Sequence, residues 1–283
     1  MDFVKMQGAG NDYLYIDNLA DRYDNVDWGT LSRRMSDRHF GVGADGIIAI
    51  FPSHIAPFRM RMWNADGSEG RMCGNGMRCF ARYLYDRGLV RETEFPVETL
   101  AGLMVPRIIV EDGRVRAVRV DMGRPILEPE QIPVIGLGNE PIIEQPLEAE
   151  GHSWPATVVS MGNSHVVVFT HEVDNVPLAD WGPKLEHHPA FPERTNVEFA
   201  RVNPDGSIRM RVWERGSGHT LACGTGACAT LIAAYLTGRS GRRARLELDG
   251  GAVEVEWDSD DRVYLTGPAE EVFTGVYQLE EKE

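Results

Sequence analysis

Polar and apolar residues alternate strictly along FRMRMW, with Phe58, Met60 and Met62 on one side and Arg59, Arg61 and Trp63 on the other. That period of two is the signature of a β-strand. IRMRVW keeps the same register with Ile208, Met210 and Val212. Two longer alternating stretches, RIIV-EDG-RVRAVRV (107–120) and AVEVEW-DSDD-RVYL (252–265), are broken by turn-forming residues and predict hairpins. WGTLSRRMSDRH (28–39) and PLADWGPKLEHH (177–188) have helical spacing instead. Two apolar runs, MRCFARYLYDRG (77–88) and ACATLIAAYLTG (227–238), each end at a glycine, the usual helix stop. Four helical segments against at least ten strand-like ones give an α+β class.

The pattern repeats. RMRMW at 59–63 returns as RMRVW at 209–213, and ten residues after each tryptophan stands a CGxG: Cys73-Gly74-Asn75-Gly76 and Cys223-Gly224-Thr225-Gly226, offset by 150 residues. Weaker echoes extend the match. Gly10-Asn11 before YLYI resembles Gly162-Asn163 before VVVF, and Trp28 followed by Phe40 resembles Trp181 followed by Phe191. A period this long, present twice, is not a solenoid. It predicts two similar domains related by a pseudo-twofold axis. The Pro- and Gly-rich stretch at 121–129 marks the join, so the expected halves are 1–121, carrying Cys73, and 122–267, carrying Cys223. A final strand within 268–283 is expected to return to the first half.

With 283 residues and 42% hydrophobic content, the chain can bury two such cores. A net charge of −14 argues against a nucleic-acid partner. No run is long and apolar enough for a membrane span, and the N-terminus does not read as a signal peptide. The expected compartment is the cytoplasm, where thiols stay reduced. The four cysteines, Cys73, Cys79, Cys223 and Cys228, form no CxxC pair, and no Cys/His cluster has zinc-site spacing, so no metal is expected. Cys79 and Cys228 fall inside helices and read as small core residues.

Cys73 and Cys223 each stand where a turn enters a helix. Free N–H groups there favour a thiolate, so each pKa is expected to fall below the ordinary thiol value. The glycines that follow let backbone N–H groups approach an anion such as a carboxylate. Two equivalent sites in a duplicated chain suggest a specific chemistry. One thiolate takes the proton from an α-carbon while the other thiol returns one to the opposite face, inverting the centre.

The motifs KMQGAGND (5–12), NADGSEGRMCGNGMRC (64–79), MGNSH (161–165), Asn196 and ERGSGHTLACGTGACA (214–229) together resemble the diaminopimelate epimerase family, in order and over nearly the whole chain. The resemblance implies interconversion of LL- and meso-2,6-diaminopimelate without cofactor or metal, in lysine and peptidoglycan precursor synthesis. It implies two similar α/β domains, each a barrel-like sheet wrapped around a central helix, and it allows a homodimer. By the same resemblance Cys73 and Cys223 are the catalytic pair, assisted by His165 and Glu214. Asn11, Asn64, Asn163, Asn196, Glu214 and Arg215 match substrate contacts, and Gly74-Asn75 and Gly224-Thr225 match carboxylate-binding turns. A substrate with two carboxylates and two ammonium groups suits such a set: Arg215 can grip a carboxylate and Glu214 an ammonium. His219 and Ser164 depart from the family's usual acidic residue and proline.

Two other readings compete. One is a racemase for proline, hydroxyproline or histidine, which the retained asparagines and Arg215 disfavour. The other is a thiol-redox or amino-acid-binding protein, which would need a reversible disulfide or no turnover at all.

Overall fold

The structure, a computed structural model, describes residues 1–279. It divides into two compact units, 1–120 together with 267–279, and 121–266. The last residues of the segment assigned to a returning strand, 280–283, lie outside the described residues.

In chain order the elements are β1 (Asp2–Gly8), β2 (Asn11–Asp17), α1 (Trp28–Ser36), β3 (Gly46–Phe51), β4 (Phe58–Asn64), β5 (Glu69–Gly70), α2 (Gly74–Asp86), β6 (Val97–Thr99), β7 (Gly102–Met104), β8 (Arg107–Glu111) and β9 (Arg114–Asp121). There follow β10 (Gln145–Ala149), β11 (His152–Ser160), β12 (Ser164–Phe169), α3 (Leu178–Glu186), β13 (Asn196–Val202), β14 (Ile208–Glu214), β15 (Gly218–Thr220), α4 (Gly224–Leu236), β16 (Arg243–Leu248), β17 (Gly251–Trp257), β18 (Val263–Gly267) and β19 (Glu270–Val276).

In the first unit the strands lie in the order β19-β1-β2-β3-β4-β6-β7, with β5 attached to β4. β1 is antiparallel to both β19 and β2, β2 is parallel to β3, β3 antiparallel to β4, and β4 parallel to β6. The second unit repeats the plan. β11 is antiparallel to β12, β12 parallel to β13, β13 antiparallel to β14, β14 parallel to β16, and β15 attaches to β14. The class is α+β, in two similar halves.

Each unit places one helix on each face of its sheet. In the first, α2 packs on β1, β2 and β8, and α1 covers β3 and β4 from the other face. Trp28 of α1 stacks on Trp63 of β4 at 5.2 Å between ring centres, over Leu31, Met35, Ile47 and Ala49. Trp63, on the arginine side of its strand, is therefore buried, and the alternation of FRMRMW does not mark a wet face at its end. In the second unit α4 is buried all round by apolar residues and touches β11 to β14, β16 and β17. Its outer counterpart α3 lies over β13 and β14, and Trp213 Nε1 donates to Glu186 of α3 at 2.7 Å.

α1 is shorter than its sequence pattern predicts. The chain leaves helical geometry at Asp37, whose carboxylate accepts from the amides of His39 and Phe40, both at 2.7 Å. An aspartate that captures the amides beyond it competes with the next helical turn.

Candidate active site

α2 and α4 begin in the same way. Cys73 and Cys223 are their N-cap residues, with φ/ψ of −134/122° and −124/113°. Each sulfur accepts the backbone N–H three residues on, from Gly76 and from Gly226, both at 3.4 Å. A sulfur thus sits where an aspartate or serine oxygen usually caps, satisfying one of the helix's orphan donors. Gly74-Asn75 and Gly224-Thr225 form the first turns above the sulfurs. The second glycine of each turn is forced by close packing: a Cβ on Gly76 would lie 2.5 Å from Ile48 Cδ1, and one on Gly226 would lie 2.5 Å from Glu198 Oε1.

Around Cys73 the nearest contacts come from β2. Its alternation puts Asn11, Tyr13 and Tyr15 on the α2 side. Asn11 Oδ1 accepts from the Cys73 thiol at 3.4 Å and from Asn75 Nδ2 at 3.3 Å, while Asn11 Nδ2 donates to Asp45 at 2.7 Å. The buried Tyr13 hydroxyl lies beside Cys73 and acts to lower its thiol pKa, and Tyr15 donates to the Gly76 carbonyl at 2.9 Å. Arg78, fully buried on α2, donates to Asn75 Oδ1 at 2.7 Å and to the Pro268 carbonyl at 3.0 Å. Asn64, paired across the sheet with Gly46, closes its own turn by donating to Ser68 Oγ at 3.0 Å.

Around Cys223 the equivalent strand is β12. Asn163, just before it, and His165 within it stand as Asn11 and Tyr13 stand in the first half. His165 is fully buried, with Nδ1 2.6 Å from Glu198 Oε1 and Nε2 3.1 Å from Asn163 Oδ1. Glu214, at the end of β14, accepts from Thr220 Oγ1 and makes a side-chain hydrogen bond with Cys223. Thr225 Oγ1 is 3.4 Å from the Cys223 sulfur. Asn196 is buried and spends its amide on the main chain, donating to Ser164 O at 2.8 Å and accepting from Arg215 N at 2.9 Å. The Arg215 side chain is exposed and donates to the Glu193 carbonyl at 3.0 Å. Glu186, buried on α3, accepts from Gly216 N at 3.1 Å and so ties the turn after Glu214 to the outer helix. His219 lies apart from Cys223 and pairs with Asp249 at 2.8 Å. Ser164, the other departure, hydrogen-bonds Thr195 inside the core at 2.8 Å.

The electrostatics correct one expectation. Burial pushes the Cys73 thiol up, and the Gly76 amide, the Tyr13 hydroxyl and the Arg78 charge offset only part of it. Burial pushes Cys223 well above the ordinary thiol range, and the carboxylates of Glu214 and Glu198 add to that rise. Glu214 is itself raised, chiefly by burial, with Thr220, Cys223 and His165 pulling the other way. The helix N-terminus lowers the thiol pKa, as the position implies, but desolvation outweighs it. Cys79 and Cys228 are buried, and burial takes Cys79 up to about 11.

In each half the helix opened by the capping cysteine packs on a strand entered through an asparagine with a ring two residues on, Asn11-x-Tyr13 or Asn163-x-His165. Tyr13, Asp45, Glu186 and Glu198 belong to these surroundings and carry no motif of their own in the sequence, and Arg78 falls inside the 64–79 motif without being singled out there. The repeat could have found Tyr13 and His165 together, since Asn11-x-Tyr13 aligns with Asn163-x-His165.

The family model for diaminopimelate epimerase matches residues 3–128 and 157–272. A diaminopimelate epimerase from Moorella thermoacetica is 52% identical over 281 residues, covering 99% of this chain and 100% of that one. Among solved structures, a phenazine biosynthesis protein of the PhzF family from Bacillus anthracis superposes with a TM-score of 0.71 at 17% identity, covering 99% of each chain. A probable proline racemase from Agrobacterium radiobacter gives 0.66 at 18% identity, covering 99% of this chain and 93% of the other. These two share the fold. The sequence matches go further, and on them the chain belongs to the diaminopimelate epimerase family.

Proposed function

We propose that this protein interconverts LL- and meso-2,6-diaminopimelate by proton transfer at one α-carbon, with Cys73 and Cys223 as the two acid–base groups. The observation that carries the reading is the equivalence of the two caps: each cysteine sulfur begins a buried helix and accepts the amide three residues on, and each helix packs on a strand entered through an asparagine and a ring. Inverting a centre by proton transfer takes one group to remove the proton from one face and another to return one to the opposite face, and two alike groups let the reaction run in both directions.

In this reading one sulfur enters the reaction as thiolate and takes the α-proton, becoming a thiol. The electron pair left behind is delocalised into the α-carboxylate, which the first turns of α2 and α4 hold through their free N–H groups. The other thiol then protonates the opposite face and becomes the thiolate, so the reverse reaction starts from exchanged roles. His165 and Glu214 assist at the Cys223 end. Asn11, Asn64, Asn163 and Arg215 bind the substrate's polar ends, and Asn196 acts on them through the Arg215 turn it braces. The two halves, 1–121 and 122–267, contribute one cysteine each.

A reducing, cytoplasmic setting belongs to the proposal, because oxidising either sulfur removes an acid or a base. A homodimer is part of it too. β19 lies at a sheet edge and leaves Val272, Phe273 and Val276 exposed, and such edges are usually covered.

The test is turnover of LL-diaminopimelate in heavy water. The expected result is inversion with deuterium appearing at the α-carbon, and loss of both in Cys73→Ala and in Cys223→Ala. Turnover of proline, hydroxyproline or histidine with none of LL-diaminopimelate would overturn the substrate. Inversion without deuterium would overturn the mechanism.

A further inference from the structure

The geometry points to Glu198 as a positioning residue that holds the His165 ring, and through it the Asn163 amide, for the chemistry at Cys223. The inference rests on the proposed epimerase reading.

Glu198 is fully buried in the middle of β13, as is His165 on the adjacent β12. One carboxylate oxygen, Oε1, is 2.6 Å from His165 Nδ1. Its other oxygen, Oε2, finds no hydrogen-bond partner among the described residues. A buried carboxylate with an orphan oxygen is costly, and a core that needed only packing would not keep one. The duplicated half supplies the comparison. There the residue packed beneath the second glycine of the helix turn is Ile48, against Gly76, where Glu198 packs against Gly226. An aliphatic side chain therefore fills this niche in the half that carries Tyr13, and a carboxylate fills it in the half that carries His165 at the matching position.

The carboxylate accepts the Nδ1 proton, which fixes the tautomer and the plane of the ring. Nε2 is then the nitrogen turned to Asn163, 3.1 Å away. A histidine whose one nitrogen is tied to a carboxylate keeps the other in a set direction. The titratable groups gathered at this end are His165, Glu198, Glu214 and Cys223. Glu198 also lies close enough to add to the rise at Cys223 and at Glu214. Its charge is thus part of what those groups titrate against.

Three variants and two readouts test this in the intact enzyme. Glu198→Gln keeps an acceptor but no charge, Glu198→Ile copies the niche of the first half, and His165→Ala removes the ring. Wild type should show a low-field, slowly exchanging imidazole proton in its NMR spectrum. That proton should vanish in His165→Ala and Glu198→Ile and move upfield in Glu198→Gln. With LL-diaminopimelate, kcat should fall about 10- to 100-fold in Glu198→Ile, as when the outer partner of a working histidine is lost. Glu198→Gln should recover part of that loss, with a displaced pH–rate profile. Wild-type turnover with unchanged kcat, KM, pH profile and imidazole proton in Glu198→Ile would overturn the inference. Wild type without any turnover of LL-diaminopimelate would instead strike the functional reading, and the imidazole proton would still report on the Glu198–His165 contact.

Discussion

Replacing Tyr13 by phenylalanine removes one hydroxyl from the surroundings of Cys73 and little else. The tyrosine is buried, and burial together with the charge of Cys73 raises its own pKa well above the ordinary phenol value. It therefore remains an O–H donor throughout the range in which the thiol titrates. A hydrogen bond to a charged group contributes about 1.5–3 kcal/mol, and one pKa unit corresponds to about 1.36 kcal/mol. Losing the bond to the thiolate should therefore raise the Cys73 pKa by about one to two units. Below that pKa the thiolate fraction falls about 10- to 100-fold at fixed pH, and kcat/KM should follow it in the direction that uses Cys73 as base. The direct assay is the rate of alkylation of Cys73 by iodoacetamide against pH, in a Cys223→Ser background. The profile of the Tyr13→Phe variant should move to higher pH while the melting temperature hardly changes, since the ring still fills its place. A profile that stays put, or moves to lower pH, would refute the assignment of that hydroxyl to the sulfur.

Other outcomes can be checked alongside. Gly226→Ala drives a methyl against the buried Glu198 carboxylate and should cost about 1–3 kcal/mol in urea unfolding, more than Gly76→Ala, which meets the movable end of Ile48; equal costs would mean the second turn is free to shift. Cys79 is pushed up to about 11 by burial, so its folded pKa lies above its unfolded one and its stabilisation is present below the unfolded value and lost as pH rises towards 11. Wild type should lose about 3 kcal/mol more than Cys79→Ala across that window, by about 1.36 kcal/mol per unit, and parallel stability curves would contradict this. Val276→Asp, on the exposed edge strand, should convert a dimer to a monomer in sedimentation, and a wild type that sediments as a monomer would dispose of the dimer.

The strands that alternate were legible, and the strands that matter most for the site were not. β4 and β14 bury one face fully and leave the arginines of the other partly exposed, so their sequences alternate. β3, β12 and β13 read as largely apolar runs, GIIAIF, SHVVVF and NVEFARV, because both of their faces are buried. Period alone does not separate such runs from a buried helix. Within NVEFARV the pattern also hides that Glu198 points inward, since every neighbour in the middle of the strand is buried too. The repeat was a stronger guide than propensity: it aligned two motifs whose helices the structure starts on the same cap geometry.

The sign of the thiol pKa shows where reasoning from a motif stops. A helix N-terminus favours an adjacent charge by about 0.3–1 kcal/mol, and by about 2 kcal/mol at most, or roughly one and a half pKa units. Full burial can move a group by about 3–5 units the other way. The first effect is written in the local sequence as CGxG. The second depends on β2, β12 and β14, strands up to 62 residues away from the cysteines they cover. Desolvation wins at both sulfurs, so each thiolate is a stronger base but a scarcer one. An α-hydrogen beside a carboxylate is a very weak acid, and a thiolate with a raised pKa is the stronger base towards it. The amides that open α2 and α4 are then not needed to make thiolates abundant. In the proposed reaction their larger effect would fall on the carboxylate as charge builds there during proton removal, and the buried setting that makes the thiolate scarce would also make those amides count for more.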